Sequence, residues 1–418
     1  MSKPHAASEV TVWDILRRYR NEFGLVIAIV VVIAVTMLFN NAYLQRPWLN
    51  ATEILRQTSL LGIFALGASI VIISGGIDLS AGSVIAFSGS ICALIMLLLA
   101  PLNERGAPDT SQLSAMALVG GVAGAMLVSF LIGTFHTWLI TMVGLPPFVA
   151  TLASLVGLRS LAKVLNQEVT KSLGNQSTKI NIYDSTFTSW GKTWWIPLVV
   201  FLILGALAWL LMNRTVTGRH LYAMGGNEQA ARLSGIRTER LKWLAYCLGA
   251  MTAAIAGILY TAEVASADPQ TQGRGYELNA IAAAVVGGCS LQGGIGLIPG
   301  VMLGVLFLRV VIDSVAKVVG SGSDDYEGLI VGFLVVLAVA FNELRAAGSR
   351  RRKQFFPGAL GSMAVLILSL LAGIVTTLMA GARAGGVSGA VTFGVLVVIK
   401  IAEMRAARSA ATSEAAVS

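Results

Sequence analysis

Charge is scarce in this chain. Only 12% of its 418 residues are Asp, Glu, Lys or Arg, against roughly a quarter in soluble domains, which excludes an ordinary soluble globule. Cysteine is scarcer. Cys92, Cys247 and Cys289 make up the whole complement, each in or beside an apolar run and without CxxC spacing. That excludes a disulfide framework or thiolate metal cluster and leaves small buried thiols. His5, His136 and His220 are scattered, with no HExxH and no nucleophile partner, so metal-dependent or hydrolytic chemistry has no support. Gly191-Lys192-Thr193 ends like a phosphate loop, but Thr186 stands where the first glycine is required. Gly293, Gly294 and Gly296 form no dinucleotide fingerprint, because Pro299 occupies the last position. No long polar stretch exists for a soluble domain, so an energy-converting step has to come from other chains.

What the chain has is apolar length. Apolar residues make up 56% of it, and the mean hydropathy is +0.77. Runs of more than about 18 apolar residues recur, which is bilayer-spanning length. The expected class is an all-α integral membrane protein, with spans near 23–39, 54–73, 79–100, 115–135, 147–165, 196–212, 241–261, 278–289, 294–313 and 327–342. Two further spans are expected near 358–381 and 387–402. The segment at 278–289 is too short to cross alone; short, glycine-interrupted segments at membrane depth line protein-enclosed or watery paths. The run after Phe23 is long for a signal sequence and lacks a small-residue cleavage site, so it reads as the first anchor. Before it, Val12, Ile15, Leu16, Tyr19 and Phe23 fall at helical spacing among Arg17, Arg18 and Arg20, which predicts an interfacial helix over 10–23.

The net charge of +9 would suit nucleic acid, but the cations sit in loops beside spans, where positive-inside topology accounts for them. With the N-terminus inside, the basic connections 213–240 and 343–357 also come out inside, and the C-terminus is cytoplasmic. The connections at 262–277 and 314–327 are more acidic and fall outside. The loop 166–195 carries Lys171, Lys179 and Lys192 but ends in Trp190, Trp194 and Trp195, an aromatic belt that places it outside too.

The loop 213–240 carries the most specific local signal. Asn227 is a good N-cap, Glu228 suits the positive end of a helix dipole, and Ala230, Ala231, Arg232 and Leu233 favour helix. Gly235 is a natural stop, so one or two turns of helix fit between Gly226 and Gly235. Such a helix either docks a partner outside the bilayer or lies on lipid headgroups. Elsewhere, Gly75 and Gly76 allow a sharp reversal, after which Asp78 can cap the next helix near Ser80 and Ala81. Asp78, Ser80 and Ser83 are also candidates for lining a path, because an ionisable residue in an apolar stretch is a site candidate. Ser290 and Gln292, between two glycine pairs, offer uncharged groups that suit a neutral polyhydroxylated cargo better than an ion. Glycines at 296, 300 and 304, and at 120 and 124, are read as close helix contacts. Arg159, Glu263, Arg309 and Asp313 fall near span ends, with no intramembrane pair evident, which weighs against a gradient-driven secondary transporter.

Three stretches together, GGIDLSAGS at 75–83, TGRHLYAMGGNEQAARLSGI at 217–236 and AAVVGGCSLQGGIG at 283–296, resemble permease subunits of bacterial ABC sugar importers of the ribose and xylose type. Their order and spacing match across roughly residues 20–345. The resemblance implies a core of about ten spans, with about two appended beyond it, in the bacterial cytoplasmic membrane. It implies that Gly225, Gly226, Asn227, Glu228, Ala230, Ala231, Arg232, Leu233 and Gly235 form a coupling helix docking into an ATP-binding subunit. Implied partners are that ATPase, an extracytoplasmic sugar-binding protein, a second permease copy and membrane lipid. ATP and magnesium would sit on the partner, with no cofactor and no enzymatic site on this chain. The expected organisation is a cytoplasmic or interfacial segment at 1–22, a permease core at 23–345 containing the coupling loop 213–240, a basic cytoplasmic linker at 346–357, a transmembrane hairpin at 358–402 and a cytoplasmic tail at 403–418. Branched-chain amino acids, nucleosides or a signalling furanone are alternative cargoes of the same importer class.

Overall fold

A computed structural model describes residues 20–104, 106–319, 327–334, 336, 356, 358–380 and 382–415. Residues 10–19 of the expected interfacial helix, Asp324, Asp325 and the basic run at 350–353 lie outside the described residues. The chain divides into two compact units, Met1–Asn342 and Glu343–Ser418.

In the first unit the helices are α1 (Arg20–Phe39), α2 (Ala42–Gln45), α3 (Pro47–Ile73), α4 (Ala81–Leu98), α5 (Ala115–Thr141) and α6 (Pro147–Ser172). A two-residue strand β1 (Ile180–Asn181) leads to α7 (Ser185–Lys192), α8 (Trp195–Arg214), α9 (Val216–Gly226), α10 (Glu228–Leu233) and α11 (Thr238–Val264). Strand β2 (Ser266–Ala267), α12 (Tyr276–Val286) and α13 (Ile298–Val319) follow, and residues 327–334 are helical. Eight of these helices are long and apolar enough to cross a membrane, and α12, at 11 residues, is the short one the sequence anticipates.

Helices α3 and α11 form the centre. Leu60, Ile63, Phe64, Leu66, Ile72 and Ile73 of α3 are essentially inaccessible, and α11 packs on α3, α4 and α5. Small residues allow this: a β-carbon on Gly67 would come 2.0 Å from the Thr252 hydroxyl, so α3 and α11 touch almost backbone to backbone. The glycine ridge of α13 packs likewise, with Gly300 against Gly287 and Gly304 against the Ala283 carbonyl. Peripheral α1 keeps Ile27, Val30, Leu38 and Phe39 exposed, as a lipid-facing helix must. In the loop 166–195, β1 pairs antiparallel with β2, Ile180 opposite Ala267 and Asn181 opposite Ser266. Asp184 caps α7 by accepting from the Phe187 N–H at 2.8 Å. Trp194 meets Trp48 edge-on at 5.7 Å.

Charged groups near span ends, among which the sequence shows no evident intramembrane pair, take partners in the fold. Arg56 reaches Glu53 at 2.7 Å and Glu263 at 3.3 Å, joining α3 to α11. Arg309 faces Glu327 at 3.8 Å, and Lys317 pairs with Asp313 at 2.6 Å. Arg56–Glu53 and Lys317–Asp313 are spacings that one helix brings together, whereas the meeting of Arg56 with Glu263 and of Arg309 with Glu327 is a consequence of packing between segments.

In the second unit, α14 (Gly358–Ala380) and α15 (Ala382–Ala415) form an antiparallel hairpin. Gly373 and Gly389 face each other across it, and Thr376 bonds Ser388 at 3.0 Å. The break expected between 381 and 387 is shorter than anticipated, because α15 already begins at Ala382. Its helix also runs through most of the expected tail, whose Ala, Glu, Met and Arg residues are strong helix formers.

Candidate coupling and translocation site

The expected short helix is α10. Asn227 leaves helical geometry, at φ −161 and ψ 100, and its side chain accepts from the Ala230 N–H at 2.9 Å. Gly235, at φ +83, ends the turn in the left-handed region that favours glycine. Only one face of this helix is covered. Ala231 is buried, whereas Gln229, Ala230, Arg232 and Ser234 are exposed and Leu233 is 90% accessible. Glu228 pairs with Lys242 at 2.7 Å, and Arg232 with Glu239 at 3.0 Å, so the helix is clipped to the start of α11.

Spacing alone did not reveal α9, the helix preceding it. Its start is nonetheless written locally: the Thr215 hydroxyl accepts from the Gly218 N–H at 3.0 Å, an ordinary N-cap. Gly225 and Gly226 therefore close α9 and form the joint before α10. That joint is wedged into the membrane part. A β-carbon on Gly225 would lie 1.9 Å from the Ile73 carbonyl oxygen and 2.6 Å from the Gly294 nitrogen. The Gly294 N–H donates to that same Ile73 carbonyl at 2.8 Å. Gly75 and Gly293 approach each other there in left-handed conformations, at φ +84 and +85. The Tyr222 hydroxyl adds a bond of 2.7 Å to the Gly296 carbonyl. Burial pushes this phenol up to about 12, so it stays a protonated donor. The three motifs singled out in the sequence thus meet at one backbone junction.

The polar candidates of the first motif are built into the protein interior. Asp78 is buried and accepts from the Ser80 N–H at 2.8 Å and hydroxyl at 2.6 Å, which fixes the turn before α4; the cap residue of α4 is Ser80, and no side chain caps it. Ser80 and Ser83 are fully buried, and the Ser83 hydroxyl donates to the Ser80 carbonyl at 2.7 Å. Nearby, His136 bonds Ser154 at 2.8 Å. Ser290 is half-buried, its N–H donating to the Ile295 carbonyl at 3.0 Å, and Gln292 is exposed. Gln292 shares a cavity of about 340 Å³ with Ser74, Gly75, Gly76, Asn227, Glu228, Lys242 and Tyr246. This cavity joins the coupling joint to the reversal before Asp78. Among the described residues no cluster of His, Cys, Asp and Glu has metal-holding geometry.

Repeated apolar spans around a buried pair of helices, with broken segments held against an accessible loop helix, make this an all-α integral membrane protein. The chain belongs to the family described as "Branched-chain amino acid transport system / permease component", which it matches over residues 50–339. Among curated proteins it is similar to the ribose import permease protein of Bacillus subtilis (strain 168), 31% identical over 330 residues, covering 78% of this chain and 94% of the relative. It is 34% identical over 293 residues to the ribose import permease protein of Escherichia coli (strain K12), covering 69% and 83%. It is also 32% identical over 282 residues to the fructose import permease protein of Bifidobacterium longum (strain NCC 2705), covering 66% and 77%. No solved structure matches the chain.

Proposed function

We propose that this chain is the membrane-spanning subunit of an ATP-driven importer that carries a monosaccharide such as ribose or xylose into the bacterial cytoplasm. A separate subunit would bind ATP and magnesium, an extracytoplasmic binding protein would deliver the sugar, and a second permease copy would complete the path. The N- and C-termini are then cytoplasmic, on the side of α10.

The observation that carries the reading is the mounting of α10. A helix of six residues is too short to hold itself, yet this one is capped, clipped to α11 and joined through Gly225 to both broken segments while its outer face stays bare. In the proposed cycle, ATPase closure moves α10, and the Gly225 and Tyr222 contacts pass that movement to residues 73–78 and 287–296. Tight binding within the membrane would trap the cargo, so contacts there are weak and the first selection falls to the binding protein. The relatives named for ribose and fructose import support the sugar cargo. The family's description favours branched-chain amino acids as the second reading.

The test is to purify the chain from its host, ask whether an ATP-binding subunit accompanies it, and repeat with Glu228→Ala and Arg232→Ala together. Co-purification with the wild type and loss of transport-coupled ATP hydrolysis in the variant are expected. A chain that comes alone and moves sugar in vesicles on an ion gradient overturns the reading.

A further inference from the structure

A second cavity, of about 230 Å³, opens between Glu53, Ile54 and Gln57 of α3, Arg309 and Asp313 of α13, and Glu327. From Gln57 to Ile73 is sixteen residues, or ~24 Å along the helix, so this cavity lies far from the coupling joint, toward the other end of α3. We propose that it is a contact site for the cargo inside the membrane part, and that it takes a neutral polyhydroxylated molecule. This rests on the sugar-import reading and deepens it.

Gln57 organises the site. Its amide nitrogen donates to Glu53 at 3.2 Å and Glu263 at 2.8 Å, and its amide oxygen accepts from Arg309 at 3.1 Å. Arg309 also faces Glu327, which accepts from Asn279 at 2.8 Å. Each carboxylate at the cavity wall therefore already faces a donor: Glu53 faces Gln57, Asp313 faces Lys317 and Tyr43, and Glu327 faces Arg309 and Asn279. A hydroxyl is both donor and acceptor, so a molecule with several hydroxyls can insert into such a ring without leaving a group unpaired. An anion would face the carboxylates of Glu53, Asp313 and Glu327, and a small cation would find those carboxylates already engaged, by Arg56, Lys317 and Arg309 respectively. A zwitterionic amino acid would have to draw Arg309 away from Gln57 and Glu327, or Asp313 away from Lys317 at 2.6 Å and from Tyr43. Hydroxyls require no such separation of charge. The site is also reached differently from the other cavity: its walls are side chains from three parts of the chain, which can exchange partners, where the coupling joint is backbone.

Ala316 borders this cavity and the native thiols Cys92, Cys247 and Cys289 are all buried, so Ala316→Cys gives a single reporting thiol. In the assembled transporter in proteoliposomes, ribose, fructose, galactose and leucine are each tested for slowing its reaction with a charged thiosulfonate. The transported sugar is expected to slow labelling about threefold at twice its half-saturating concentration, by mass action, and leucine to leave it unchanged. Gln57→Leu is expected to lower uptake about tenfold and to reorder the three sugars, the effect of losing one polar contact with cargo. Gln57→Asn, which keeps the amide, should restore part of that loss. Sugar uptake by the wild-type chain with no protection of the thiol and no reordering in Gln57→Leu overturns the site and leaves the importer reading standing. Protection by leucine in place of sugar also overturns it. A wild type that assembles with its ATPase but imports none of the three sugars overturns the cargo reading, and this site with it. Should Gln57→Leu fail to accumulate, the Ala316→Cys labelling still decides.

Discussion

The two ends of α3 are held by opposite means. At Ile73 the neighbours are backbone: Gly225 against a carbonyl oxygen, Gly294 bonded to the same oxygen, Gly75 and Gly293 in contact. Toward the other end the neighbours are long side chains, with Arg56, Gln57, Glu263 and Arg309 linked by bonds of 2.8 to 3.3 Å. Backbone contacts through glycine have no alternative rotamer, so that end can only move as a unit. Side-chain networks can trade partners with water or cargo. In the proposed cycle this division would serve a stiff joint where force enters and an adaptable lining where the cargo passes.

The comparison breaks most readily at Gly225. Gly225→Val places carbon 1.9 Å from the Ile73 oxygen, and relief requires separating α9 from α3. We expect a loss of ~3 kcal/mol or more, the upper range for overpacking a tight contact, read as a collapse in the yield of folded complex. Gly226 is the matched control. Nothing lies within 4 Å of a β-carbon there, so Gly226→Ala should leave yield and transport near wild type. Equal damage at the two positions would show that the joint is not the steric contact described.

Tyr222→Phe comes next in size. It removes one hydrogen bond to the Gly296 carbonyl and leaves the joint's sterics intact. The expected cost is ~1 kcal/mol, seen as a lower thermal midpoint in detergent. Because α10 keeps its cap and its ion pairs, ATPase binding should persist while sugar moved per ATP hydrolysed falls. An unchanged ratio would remove Tyr222 from the transmission path. Asn227→Ala, by contrast, acts on α10 itself. Losing the bond to Ala230 costs ~1 kcal/mol of local helix stability and should weaken ATPase binding, measured by co-purification.

What was legible in the sequence follows the same division. The α10 helix could be read between Asn227 and Gly235 because caps are local, decided within four residues. The Asp78 bond to Ser80 was legible for the same reason, although Ser80 and not Asp78 is the cap residue. The short span was legible too, since Gly287 and Gly288 end it within its own sequence. Helix α9 is less legible, because its two closing glycines suit a loop equally well, although Thr215 marks its start. Of the Gln57 network only the Glu53 contact, one turn away, is local. Its other partners stand 206 and 252 residues away, and nothing in local periodicity reports which helices become neighbours. Likewise Tyr222 and Gly296 are 74 residues apart. The three glycine-rich motifs were each visible, but their convergence is a property of packing.

The smallest effect is expected at the side-chain end, from Glu53→Gln. Glu53 is 44% accessible and shares Arg56 with the better-buried Glu263, at 12%. Removing its charge leaves Arg56 one carboxylate and gives Gln57 an amide neighbour in place of an acid. An exposed pair of this kind is worth ~0–1 kcal/mol, so folding should barely change, and less so at high salt, where the pair is screened. A loss as large as that at Gly225 would mean that this end is as rigid as the other, and the contrast between a fixed joint and an exchangeable lining would not hold. A small change in thermal midpoint that shrinks as salt rises is the expected signature, because a solvent-reachable pair is screened by ions.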